Sequence, residues 1–193
     1  MSMDKKEIIA FFDELAENWD DGNLRSEEVI AEILNKGGIR KGIKVLDVAC
    51  GTGVLFSDYN SIGAKVTGID ISGNMVKKAR EKFPDIKVIC GDAATFEFED
   101  TFDAVMIYNA FPHFTDAEKL IENLAGVLKT SGRFTVAHGI SEKELEECHS
   151  GRAKKISVPL VKKEVLADML SLYFEVDVLI SDDRMYMVSG VKK

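Results

Sequence analysis

The stretch IKVLDVACGTG (43–53) decides the fold. It is an apolar run, too short for a helix, that passes through Asp47 into small residues and ends on Gly51 and Gly53. A run closed by glycines in this way is a buried strand delivering the chain into a tight turn. The pattern recurs at AKVTGID (64–70), IKVIC (86–90), FDAVMIY (102–108) and GRFTVAH (132–138), the last entered from a Ser131-Gly132 turn. Amphipathic segments lie between several of these runs. One helix is expected from Val54. A second is capped by Ser72, with Met75, Val76 and Ala79 inward. A third has Thr115 and Glu118 as a capping box, and Leu120, Ile121, Leu124, Val127 and Leu128 as its stripe. Strand, helix and strand in alternation predict right-handed crossovers and a parallel sheet covered on both faces.

Outward from this core the pattern changes. Before it, Ile8, Ile9, Phe12, Leu15, Ala16 and Trp19 share one helical face behind Asp4 and Glu7, and Ser26 caps a second helix stopped at Gly37-Gly38. After it come a helix over 162–172 and two strands, 174–181 and 184–191, joined by Asp182-Asp183. The expected class is α/β: a doubly wound, Rossmann-like, seven-stranded, mostly parallel sheet with a C-terminal antiparallel hairpin. Residues 1–193 are expected to form a single domain, with a helical cap over 1–38, a cofactor-binding core over 43–138, and acceptor-side helices and the hairpin over 139–193.

At 193 residues with 46% hydrophobic side chains, the chain has material for a core without disulfides. Thirty-three acidic against 25 basic residues give a net charge of −8, which opposes general binding to nucleic acid or anionic membranes. One stretch, 148–163, holds five Lys or Arg and no acid; it is a solvated face or the rim of an anionic-substrate site. Cys50, Cys90 and Cys148 form no CxxC pair, which fits a reducing cytoplasm. The longest stretch without formal charge, 104–115, has 12 residues and includes Asn, Pro and His, so no transmembrane helix or stable membrane insertion is expected.

Ligands of open parallel sheets sit outside the carboxyl ends of the strands. Three acids stand at three successive ends: Asp47, Asp70 and Asp92. Gly51 and Gly53 let the backbone approach a ligand closely. A dinucleotide fingerprint needs a third glycine where Phe56 stands, and GxxxxGK[ST] is absent, which argues against a dehydrogenase and against a nucleoside triphosphate. Asp70 suits the two hydroxyls of a ribose and Asp92 an adenine amino group, although either acid alone also reads as a helix cap.

The ordered set VLDVACGTG, GIDIS, GDA, FDAVMIYNAF and LKTSGRF resembles the class I S-adenosylmethionine-dependent methyltransferases, and FFDELAENWD (11–20) resembles the N-terminal cap helix of their small ubiquinone/menaquinone-biosynthesis-like branch. The family's D-x-G-x-G-x-G has Ala49 at its first glycine here, a departure that bears on loop geometry. The resemblance implies S-adenosylmethionine as cofactor, with S-adenosylhomocysteine as product. It places Asp47, Ala49, Cys50, Gly51 and Gly53 in the glycine loop, the two glycines facing the methionine moiety. Asp70 falls on the ribose, Ile71 and Met75 on the adenine face, Asp92 and Ala93 on the adenine edge, and Asn109 near the sulfonium. Trp19 becomes part of a lid over the cofactor or, alternatively, a core anchor. Residues 4–20 are expected to form that lid, with residues 18–24 as its hinge and Gly22 supplying flexibility.

Methyl transfer from a sulfonium needs alignment and a dry pocket, and a base only where the nucleophile arrives protonated. The three histidines, His113, His138 and His149, all follow the fourth strand. His113 and His138 are the candidate bases. All three together are a candidate site for a divalent metal such as zinc, with Glu142 and Glu146 as further ligands or surface acids. Phe111, Phe114 and Phe134 are candidate walls of an apolar acceptor pocket. Asn109-Ala110-Phe111-Pro112 does not match the N-P-P-Y of amino-methylating relatives, so no DNA-base or amine acceptor is assigned. The expected activity is in-line methylation of a small molecule. The alternative is a non-catalytic or regulatory module of the same fold that binds the cofactor.

Overall fold

Val45, Leu46 and Val48 are wholly excluded from solvent, which explains a strand with no polar alternation: it is covered on both faces. A computed structural model describes residues 4–21, 26–148 and 156–193. Its strands are β1 (Lys44–Val48), β2 (Lys65–Asp70), β3 (Lys87–Cys90), β4 (Phe102–Tyr108), β5 (Leu128–His138), β6 (Phe174–Ser181) and β7 (Tyr186–Lys192). They form a seven-stranded sheet in the order β3-β2-β1-β4-β5-β7-β6. The first five pair in parallel, and β7 enters antiparallel between β5 and β6. The strand order reverses between β1 and β4, which opens a crevice at their carboxyl ends.

The helices are α1 (Lys5–Leu15), α2 (Glu27–Lys36), α3 (Phe56–Ile62), α4 (Gly73–Lys82), α5 (Ala117–Val127), α6 (Glu142–Cys148) and α7 (Lys163–Leu170). Leu46, Val105, Ile107, Phe134 and Val136 pack under α5 and α7. Val45, Ala104 and Met106 pack on the other face, under α2, α3 and α4. Burial of Val29, Ile30, Ile33 and Leu34 fixes α2, each contributing about 1.5–3 kcal/mol. Among the described residues no helix is long and apolar enough to cross a membrane.

Several boundaries differ from the expected ones, each for a local reason. Asp116, not Thr115, caps α5, its carboxylate accepting from the Lys119 amide at 3.0 Å. Gly53 lies at φ +84 inside a series of turns, so α3 starts at Phe56 instead of Val54. β5 begins at Leu128, four residues early, and carries Ser131 in the left-handed region at φ +61. Asp182 takes the amides of Arg184 and Met185, both at 2.9 Å, so β7 starts only at Tyr186. Within the segment expected to hold acceptor-side helices, α6 opens on a reciprocal capping box between Ser141 and Glu144.

Candidate active site

At the crevice lies a cavity of about 560 Å³, a size typical of small-molecule sites. Its floor is the end of β1 and the glycine loop. Asp47 is 2% exposed there, and burial, with the charge of Asp70 adding to it, pushes its carboxyl well above the usual range. Ala49 adopts φ +55, the left-handed conformation a glycine would take freely. The loop thus keeps its path and alanine carries a strain of about 1–2 kcal/mol. Gly51 is left-handed at φ +55 and Gly53 at φ +84.

The end of β2 supplies Asp70, whose two oxygens accept from the Gly51 amide at 2.8 Å and the Ser72 amide at 2.9 Å. Burial raises its pKa against the pull of these amides, and the carboxylate of Asp13 adds to the rise. Asp92, after β3, accepts from the Ala94 amide at 3.0 Å and is ion-paired to Lys5 of α1. After β4, Asn109 stands at φ +54, accepts from the Gly139 amide at 2.9 Å and donates its own amide to Ala137.

The roof is α1 with the turn that follows it. Ile8 is buried, but Phe12 and Trp19 stay half-buried because they face a cavity instead of the core. The indole nitrogen of Trp19 lies 3.6 Å from where a Cβ on Gly51 would be. Trp19 therefore lines the cavity and is in neither apolar core. Asp20 accepts from the buried Thr52 hydroxyl and from Lys82, both at 2.7 Å, while Glu17 pairs with Lys78 at 2.7 Å. These pairs are largely solvated, so they steer the seating of α1 more than they hold it. Of the expected hinge, residues 22–24 lie outside the described residues.

Trp19, Asp47, Ala49, Cys50, Gly51, Gly53, Asp70, Ile71, Met75, Asp92, Ala93 and Asn109 all line this one cavity. So do His113 and Phe114. His113 ends a short 3₁₀ turn, and its ring packs edge-on to Phe12, centroids 5.0 Å apart. Its Nδ1 bonds the Ile156 carbonyl at 2.9 Å. A carbonyl only accepts, so Nδ1 carries the proton and Nε2 of the neutral ring keeps its lone pair.

Other expectations are corrected. His138 does not reach the cavity: along β5 its side chain shares parity with Phe134 and Val136, and it is wholly buried against Tyr186. It is therefore neither the base nor a ligand facing the crevice. Phe111 and Phe134 are core residues, not pocket walls. His149 lies outside the described residues, as does the side chain of Glu146. Among the described residues no three His, Cys, Asp or Glu side chains gather as a metal site. The sequence reasoning missed Lys5, Ile8, Phe12, Tyr108 and Thr115, which also line the cavity. Tyr108 immediately precedes Asn109 at a strand end, a signal that was available. Its hydroxyl fits only because residue 139 is glycine, where a Cβ would come within 2.2 Å of it.

The methyltransferase-domain family matches residues 45–132, the span from β1 into β5. The demethylmenaquinone methyltransferase of Renibacterium salmoninarum is 32% identical over 152 residues, 70% of this chain and 61% of that protein. The chain is similar to the class I S-adenosylmethionine-dependent methyltransferases. Its similarity lies in the ubiquinone/menaquinone-type branch of that family: the demethylmenaquinone methyltransferase of Paenarthrobacter aurescens is 31% identical over 70% of this chain. The chain spans about three-fifths of the length of these two relatives, 61% and 57%. Class I methyltransferase structures share the fold. A SAM-dependent methyltransferase from Aquifex aeolicus superposes with a TM-score of 0.76 at 18% identity, covering 94% of this chain and 98% of that one. Magnesium protoporphyrin IX methyltransferase from Synechocystis with bound SAH gives 0.75 at 19% identity, covering 98% of this chain and all of the other.

Proposed function

We propose that this chain transfers a methyl group from S-adenosylmethionine to a small planar acceptor of the quinol or phenol class. The observation that carries this reading is one roofed cavity that gathers Asp47, Asp70 and Asp92 at one side and His113, Tyr108 and Phe114 at the other. Three acids at three strand ends match the polar groups of the cofactor. Asp47, buried and reluctant to ionise, gains its charge against a cation such as the ammonium of the methionine end. Asp70 retains acceptor capacity beyond its two amide bonds for the ribose hydroxyls. Ile71, Met75 and Ala93 supply apolar walls for a flat ring, with Asp92 at its edge.

Bound there, S-adenosylmethionine supplies an electrophilic methyl group on a sulfonium. The chain contributes alignment and exclusion of water, through Phe12 and Trp19 above and the glycine loop below. Nε2 of His113 takes the proton of the acceptor hydroxyl as the nucleophile forms. The aromatic lining by Phe12, Tyr108 and Phe114 favours a planar acceptor, and the relatives named for demethylmenaquinone support the same class.

The test is transfer of labelled methyl to a panel of quinols, phenols and thiols. His113→Ala is expected to lose at least 100-fold in turnover, within the usual range for a positioned base, with affinity for S-adenosylhomocysteine changed less than twofold. Full activity in that variant removes the base. Tight cofactor binding without transfer to any quinol or phenol overturns the acceptor class.

A further inference from the structure

α1 reaches the cofactor stations by more than its cavity-lining residues. Asp13 does not line the cavity, yet its Oδ1 accepts from the Ser72 hydroxyl and, at 3.0 Å, from the Asn74 amide. The Asn74 side chain donates back to the Asp13 carbonyl at 3.0 Å. These partners are 59 and 61 residues apart in sequence, so only docking of α1 creates the contact. Ser72 is wholly buried, and its hydroxyl has one proton and two lone pairs. The proton goes to Asp13, while a lone pair caps α4 at the Met75 amide, 3.2 Å away. The amide of the same residue holds Asp70 Oδ1 at 2.9 Å. A relay thus runs from the lid, through one buried serine, to the carboxylate assigned to the ribose.

We infer that Asp13 is a positioning residue: docking of α1 fixes Ser72, and Ser72 sets the orientation of Asp70 for the ribose hydroxyls. The inference rests on the cofactor assignment above. Lid closure and ribose capture then become one coupled event, and by reciprocity the cofactor holds the lid down. Asp13 suits this part because it reaches both the serine hydroxyl and an amide of the first turn of α4, a helix end whose amides lack partners within the helix. The charge of Asp13 also lies close enough to raise the pKa of Asp70, which places the two carboxylates in one electrostatic unit.

The experiment is calorimetry with S-adenosylhomocysteine on the wild type, Asp13→Ala, Asp13→Asn, Asp70→Ala and the double variant Asp13→Ala/Asp70→Ala. Thermal unfolding is followed in parallel. Asp13→Ala is expected to weaken binding about tenfold, or about 1.4 kcal/mol. Asp13→Asn keeps the oxygen that both donors use and stays within threefold of the wild type. In the Asp70→Ala background, loss of Asp13 changes affinity less than twofold, because the relay no longer has an endpoint. A general packing role predicts instead the same tenfold loss in both backgrounds, and that result overturns the inference. So does wild-type affinity in Asp13→Ala. A folded wild type that binds no S-adenosylhomocysteine overturns the cofactor assignment itself, and the relay with it.

Discussion

Asp70→Ala is expected to weaken binding of S-adenosylhomocysteine by at least tenfold, about 1.4 kcal/mol, and by as much as about 100-fold. Hydrogen bonds to a charged acceptor are worth about 1.5–3 kcal/mol each, and the carboxylate is assigned two ribose hydroxyls. It also organises its own surroundings, since the Gly51 and Ser72 amides both donate to it. Alanine leaves those amides without their acceptor, so the glycine loop loses one of its ties to β2 and keeps the bond of the Cys50 amide to the Ile69 carbonyl. The fold should persist, because Asp70 sits at a strand end beside the cavity and outside the two apolar cores. Asp70→Asn, which keeps one acceptor oxygen, should fall between the two. Calorimetry beside circular dichroism checks this, and unchanged affinity in a folded Asp70→Ala variant would remove Asp70 from the site.

The largest effect on stability is expected from Gly53→Ala. Gly53 lies at φ +84, where an alanine costs about 1–2 kcal/mol. Its added Cβ would also lie 2.7 Å from Phe56 Cδ2. The ring cannot retreat toward β2, because its Cζ already lies 2.7 Å from where a Cβ on Gly68 would stand. Phe56, wholly buried, is wedged between two glycines. Overpacking of this kind costs about 1–3 kcal/mol, so the total is about 2–5 kcal/mol, a large part of the 5–15 kcal/mol typical of a folded domain. At about 2–4 °C per kcal/mol, the melting temperature should drop by roughly 5–20 °C. Gly126→Ala on α5 is the control: its Cβ would meet nothing within 4 Å, and the change should hold or slightly raise the melting temperature. Equal melting of Gly53→Ala and wild type would contradict the wedge.

Phe56 also shows why the cofactor class was legible in the sequence. It stands where a dinucleotide fingerprint requires its third glycine, and its ring fills the space that the glycine would leave open. The sheet was legible because the central strands are short apolar runs, those of β2 and β3 ended by acid or glycine, and strand ends in such a sheet converge. Asp47, Asp70 and Asp92 were found by that rule, and Asn109 only through the family resemblance. The histidines were grouped by their order along the chain, and parity along β5 sends His138 into the core instead. Counting alternate residues from Phe134 would have shown it. The docking of α1 was only half legible. Its apolar stripe announced a buried face, but no local signal tells which groups the polar positions meet. Lys5 at Asp92 and Asp13 at Ser72 are contacts across 87 and 59 residues, which the fold alone creates. Similarly, Ser141 and Glu144 spelled a capping box in a segment whose helix the periodicity did not reveal.

The most direct measurement is a calorimetric titration of the unmodified, folded chain with S-adenosylhomocysteine. The account predicts one site per chain with a micromolar dissociation constant, near −8 kcal/mol, because acids, glycine loop and lid already line one cavity. Absence of binding at several hundred micromolar ligand, with the protein folded, would contradict it.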